Sequence, residues 1–240
     1  MRALATQCQA ARRQAPQQRG FAVTISEQVI EFYENYPRTD IFSLPLQLHN
    51  PFDAPSRSLA IRAFYEKFYN DRQPRTHILG INPSRLTASS TGVHYTDGYA
   101  LEEFCEIRNE FSKGRELTSS FFYEVVNRYG GANRAFDKIF AWAALPVALT
   151  VNGKYANYYE IKDENINTLV KSNIDWMASI PSNGRLVVLG VGENKDHLEQ
   201  IDGFPFHYTE VIYLPHPRWI LQYNRNKLDY YIELYLKAFG

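Results

Sequence analysis

Cysteine is almost absent from this 240-residue chain: only Cys8 and Cys105 occur, far apart. Two such residues exclude a disulfide framework and a cysteine-rich zinc or iron–sulfur site, and point to a reduced, cytoplasmic setting. No apolar run reaches the roughly 18 residues of a membrane span. Charge of one sign is missing too, since 26 Lys and Arg face 26 Asp and Glu. That balance excludes a histone-like polyanion binder and leaves a local basic stripe open. Residues 1–22 lack acidic side chains altogether and carry four arginines. Such a start suits a transit peptide or a disordered extension, and the extension is the expectation. It lacks the apolar core of a secretory signal.

What remains is well supplied with core material, at 45% apolar and 15% aromatic. One domain over residues 23–240 is expected, with no internal repeat and no long linker. Ser26 followed by Val29, Ile30, Phe32, Tyr33 and Tyr36 predicts a capped amphipathic helix ending at Pro37. Further helices are predicted over 58–69, 101–107, 118–129 (stopped by Gly130-Gly131), 163–180 and 226–239. Short apolar runs at 77–79, 185–190 and 211–214 predict buried strands. Residues 139–149, IFAWAALPVAL, predict a buried strand in their first half and a turn into a loop after it. Strands separated by helices imply an α/β fold: three layers, with a mostly parallel four-stranded sheet between helices.

In such sheets ligands bind beyond the carboxyl ends of the strands. Two loops fall there. Gly80-Ile81-Asn82-Pro83 follows the strand at 77–79, and Pro215-His216-Pro217-Arg218 follows the strand at 211–214. A carboxamide has no useful pKa, so Asn82 cannot be a general base, but it can orient a water or a ligand amide. Asn-Pro is also a plain turn former. His216, fixed between two prolines, can donate a hydrogen bond to a developing anion, or be an ordinary loop histidine. Beyond it Arg218, Arg225 and Lys227 interleave with Trp219, Tyr223 and Asn224. That mixture suits phosphates and unstacked bases, although Trp219 can equally be core.

The combination resembles the uracil-DNA glycosylase superfamily over about residues 23 to 240. Gly80-Ile81-Asn82-Pro83 is similar to its first motif, and Pro215-His216-Pro217-Arg218 to its second. Thr91-Gly92-Val93-His94-Tyr95 resembles the segment that carries the base-stacking aromatic. Tyr95 follows Asn82 by 13 residues, the spacing of the single-strand-selective monofunctional (SMUG) branch. Asn157-Tyr158-Tyr159 looks like a bacterial SMUG-like subgroup. The resemblance implies a glycosylase that flips a deaminated base, uracil or else xanthine or hypoxanthine, out of DNA. Asn82 would orient the attacking water and His216 would stabilise the leaving base. Gly80, Ile81, Pro83, Ser84, Thr91 and Gly92 would line the pocket, and Tyr95 would stack on the base. The family's usual uracil-reading Asn falls near Ala143, so Asn157 is the candidate substitute. Pro217, Arg218, Trp219, Asn224, Arg225 and Lys227 would contact DNA. No motif places a Schiff-base lysine, so a monofunctional enzyme is expected, monomeric and without cofactor or metal. Two other classes stay open: a binding module of the same fold without chemistry, and a different α/β nucleotide-binding hydrolase suggested by Gly190-Val191-Gly192.

Overall fold

In a computed structural model, residues 23–37, 45–83, 88–205 and 207–240 are described. The extension expected over 1–22, and Ser84, expected to line the pocket, lie outside the described residues.

The strands are β1 (Leu46–His49), β2 (Arg75–Gly80), β3 (Ile139–Ala143), β4 (Ala148–Val151), β5 (Lys154–Tyr155), β6 (Ser182–Leu189) and β7 (Glu210–Leu214). The helices are α1 (Ile25–Glu34), α2 (Pro55–Phe68), α3 (Ala88–Thr91), α4 (Gly98–Glu103) and α5 (Leu117–Tyr129). They continue as α6 (Ala132–Phe136), α7 (Glu164–Ser179), α8 (Glu193–Leu198), α9 (Pro217–Tyr223) and α10 (Leu228–Phe239). Four strands form one parallel sheet in the order β3-β2-β6-β7. All their carboxyl ends therefore lie along one edge. On one face Trp142 of β3 packs against Phe32 of α1 and Trp176 of α7, with ring centroids 5.4 and 4.8 Å apart. On the other, Phe121 and Phe122 of α5 meet Tyr235 and Phe239 of α10. The expected α/β sheet between helices is what the chain forms.

Several local expectations shift. The cap of α1 is Thr24, which forms a capping box with Glu27. Ser26 lies inside the helix, its hydroxyl buried without a partner, and α1 ends before Pro37. The helix expected over 101–107 starts at Gly98, where Asp97 accepts a hydrogen bond from the Ala100 N–H. The expected 226–239 helix begins with a 3-10 turn, Arg225–Lys227.

The largest correction follows β3. Instead of a loop, residues 148–151 form β4 of a second, antiparallel sheet in the order β1-β4-β5. Its turn is Asn152-Gly153, with φ of 50° and 74°, the left-handed pair that a tight hairpin requires. This hairpin carries residues 156–158 back over the end of β2.

Burial at the sheet has an acid-stability consequence. His77, central in β2, lies 2.9 Å from the Tyr208 hydroxyl through Nδ1, and burial lowers its pKa to about 4. His94 is lowered by burial to about 3. Unfolded histidines titrate near 6.5, so below that pH the unfolded chain binds protons that the folded chain refuses. The stability is fully present above about pH 6.5 and is lost as pH falls towards 4. Urea unfolding at about pH 4.5 is expected to show a loss of about 2–3 kcal/mol per histidine relative to neutral pH. An unchanged midpoint would mean that neither imidazole is held neutral.

Candidate active site

The site forms at the carboxyl edge of the parallel sheet. A cavity of about 330 Å³ lies there, walled by the loop after β2, the end of β3, the loop after β7 with the start of the helix that follows it, and by Asn157 and Tyr159. Ile81, Asn82, Pro83, Tyr95, Asn157, His216, Arg218 and Trp219 all line it. The two motif loops, 134 residues apart in the chain at Asn82 and His216, thus open on one space.

Asn82 is pinned rather than free. Its Nδ2 donates to the Ala156 carbonyl at 3.1 Å, and its Oδ1 accepts the Tyr158 N–H at 3.1 Å. A backbone N–H can only face the oxygen and a carbonyl only the NH₂, so these partners fix which way the amide points. One N–H and one oxygen lone pair remain for a ligand or water. The backbone around Asn82 is equally held, because Ala144 and Leu145 donate to the Gly80 and Ile81 carbonyls.

His216 is the N-cap of α9. Its Nδ1 accepts the Arg218 N–H at 3.2 Å. A nitrogen that accepts carries no proton, so the neutral ring is protonated at Nε2. Burial, with a contribution from the Arg218 charge, lowers its pKa to about 4. The imidazole is therefore a neutral Nε2–H donor at physiological pH. Tyr235 of α10 steadies this loop by donating its hydroxyl to the Pro215 carbonyl at 2.6 Å. Pro217, buried, starts the helix at N1, where its missing N–H costs nothing.

Tyr95 has a positive φ of 58°. One ring face stacks on Phe122 at 4.9 Å, and its hydroxyl donates to the Trp142 carbonyl at 3.3 Å. Gly80 lies behind it rather than in the cavity wall: a Cβ at position 80 would overlap the Tyr95 hydroxyl. Glycine there is a packing requirement. Thr91 and Gly92 also stand back from the cavity. The Thr91 hydroxyl closes its own turn by donating to the Thr96 carbonyl at 2.7 Å, and Gly92 packs on Ile61. Both shape the loop that presents His94 and Tyr95.

Asn157 reaches the cavity, but its Nδ2 is engaged with the Tyr159 hydroxyl at 3.0 Å and the Glu160 carboxylate at 3.1 Å. Its oxygen faces the Glu160 N–H in a capping box, which leaves a ligand one lone pair. Ala143, at the end of β3, contributes only a methyl. Trp219 is on the rim, 44% exposed, rather than in the core. Tyr223 beside it is 67% exposed. Arg218, Arg225 and Lys227 are exposed and have no ion pair among the described residues, whereas Asn224 is half-buried at the α9 C-cap.

His94, Thr118, Tyr159 and Gln222, none of them a site residue expected from the sequence, also line the cavity. Gln222 was findable, since it falls one helical turn after Trp219. His94 and Tyr159 stand in quoted motifs, but nothing local says which way they point. Among the described residues, no group of three His, Cys, Asp or Glu is placed to hold a metal, and no helix is long and apolar enough to cross a membrane.

Comparison with known proteins agrees with this geometry. The family model described as the uracil DNA glycosylase superfamily matches residues 66–240. Among solved structures, the crystal structure of wild-type Pedobacter heparinus SMUG2 is similar, with a TM-score of 0.82 at 30% identity. The match covers 91% of this chain and 97% of that one. No curated protein matches.

Proposed function

Because the chain belongs to the uracil DNA glycosylase superfamily, we propose that it removes uracil from DNA by hydrolysing the N-glycosidic bond, with Asn82 and His216 as the catalytic pair. The observation that carries this assignment of roles is the His216 tautomer. With Nδ1 closed by the Arg218 N–H, the ring offers Nε2–H to the cavity. A base cannot be attacked inside a duplex, so it is flipped out or taken from single strand. As the C1′–N1 bond breaks, the electron pair leaves with the base and the sugar gains oxocarbenium character. A neutral, preorganised N–H suits the charge growing on the base oxygen, and requires no reorganisation at that moment. Asn82, its amide already locked, holds the water with its remaining lone pair. The water oxygen bonds to C1′, and its proton goes to the released base anion or to solvent. No base stronger than water is required, because the glycosidic bond is largely broken before attack.

Tyr95, with one face on Phe122, stacks its other face on the base. Asn157 lines the pocket beside the base. Arg218, Arg225 and Lys227 contact phosphates, and the exposed Trp219 and Tyr223 contact unpaired bases. No motif places a Schiff-base lysine, so the enzyme is read as a monofunctional monomer that needs no metal or cofactor and leaves an abasic site.

The test is base release with EDTA present, from single- and double-stranded oligonucleotides carrying one uracil, followed by alkaline cleavage. The expected result is strand cleavage by the natural protein and a loss of about 10² for Asn82→Ala, the effect of a misplaced reactant. Uracil, xanthine and hypoxanthine strands all left intact would remove the proposal and favour a binding module.

A further inference from the structure

His94 lines the cavity and has no part in the hydrolysis described above. It is 5% exposed, with its ring edge-on to Trp142 at 4.7 Å. Its Nε2 lies 3.1 Å from the hydroxyl of Tyr33, a fully buried residue of α1. The same hydroxyl lies 3.4 Å from the Pro146 carbonyl.

Tyr33 has one hydroxyl hydrogen. If it donates to His94, it meets the Pro146 carbonyl as one acceptor facing another. If it donates to Pro146, its lone pair accepts Nε2–H and both contacts become hydrogen bonds. Buried polar groups take the arrangement that satisfies all of them. His94 is then protonated at Nε2, and Nδ1 carries a lone pair. Nδ1 has no hydrogen-bond partner among the described residues. Burial holds the ring neutral, so this lone pair persists across physiological pH.

The end of β3 contributes only the Ala143 methyl to the wall, so no β3 side chain reads the base edge. Uracil presents a ring N–H between two carbonyls. Cytosine presents a ring lone pair at the same position. A fixed acceptor pairs with the first and repels the second.

We propose that His94, its tautomer set by Tyr33, is the acceptor that reads the ring N–H of the flipped base and excludes cytosine. This rests on the glycosylase reading above. The ligand class it selects is a base with a lactam N–H, uracil first. Tyr33 is a positioning residue in this scheme, since it acts only through His94. The division of work is specific: His216 donates to a base oxygen, and His94 accepts from a base nitrogen.

Two measurements test it. Nitrogen NMR of the full chain with labelled histidine reads the tautomer directly. The expected spectrum shows an unprotonated Nδ1 for His94, a shift of that signal on adding 1-methyluracil, and no shift with 1-methylcytosine, the methyl standing where the sugar is in DNA. In Tyr33→Phe both tautomers are expected. Kinetics on a uracil oligonucleotide give the second reading: kcat/KM for His94→Ala is expected to fall about tenfold or more, the effect of one lost hydrogen bond in a desolvated site. A protonated Nδ1 in the natural protein overturns the proposal, as does a signal that responds equally to the two bases. So does His94→Ala with full kcat/KM, while natural protein still active on uracil leaves the glycosylase reading intact. Natural protein that releases no base overturns that reading, and this one with it. Should His94→Ala fail to fold, the tautomer and base-response measurements on the natural chain decide alone.

Discussion

His216→Ala is expected to slow uracil release by about 10²–10³ under single-turnover conditions, with DNA affinity nearly unchanged. The size follows from what the residue supplies: one preorganised donor at the place where charge develops, effective only in the transition state. A ground-state contact would weaken binding and rate together. The substitution also removes the α9 cap that Nδ1 provides, which costs about 1 kcal/mol of stability. His216→Asn separates the two effects, since asparagine is a good cap residue and its shorter amide does not reproduce the imidazole N–H. It is expected to unfold with the natural protein and still lose most of the rate. The natural enzyme's chemical step should also be flat from about pH 6 to pH 8, because His216 stays neutral down to about 4. A rate within about threefold of the natural protein for both variants would take the catalytic role from His216.

Arg75→Met is expected to destabilise the fold by about 3–5 kcal/mol, read as a lower urea midpoint. Arg75 opens β2, the strand that ends just before Asn82, and its side chain is 1% exposed. Its guanidinium donates to Asp71 through both terminal nitrogens, at 2.7 and 2.9 Å. It also donates to the carbonyls of Phe136, Gln73 and Phe68 at 2.7, 3.1 and 3.3 Å, and lies over the Tyr69 ring. Methionine fills the stem's volume and returns none of these bonds, leaving carbonyls unpaired in a dry interior. Lysine keeps the charge but cannot fork to several acceptors, so Arg75→Lys should recover only part of the loss. A change below about 1 kcal/mol for Arg75→Met would mean that water replaces the guanidinium at those carbonyls.

Legibility differed from element to element for physical reasons. The carboxyl halves of β2 and β6 carry short apolar runs, Ile78-Leu79 and Leu186-Val187-Val188-Leu189, and such runs announce buried strands, whereas the polar first halves give no such signal. α5 ends where expected because Gly130, at φ 113°, is a local stop. The stretch after β3 misled because Pro146 and the apolar residues around it carry no period. The signal lay further on, in Asn152-Gly153, where two adjacent left-handed residues make a hairpin and with it a second sheet.

By itself the amino-acid sequence determined the α/β class, the strand ends that carry Asn82 and His216, and the motif pattern shared with uracil-DNA glycosylases. These follow from local propensity, from apolar runs, and from residue types at short spacing. Only the tertiary structure decided what each polar atom is free to do. Asn82 has half its amide committed to Ala156 and Tyr158, His216 owes its tautomer to the backbone of Arg218, and His94 owes its own to Tyr33, 61 residues earlier. Gly80 proved to be room for Tyr95 rather than a pocket wall. A hydrogen-bond partner distant along the chain leaves no periodic trace in the residues near either end, so these assignments exist only once the sheet and its covering hairpin are in register.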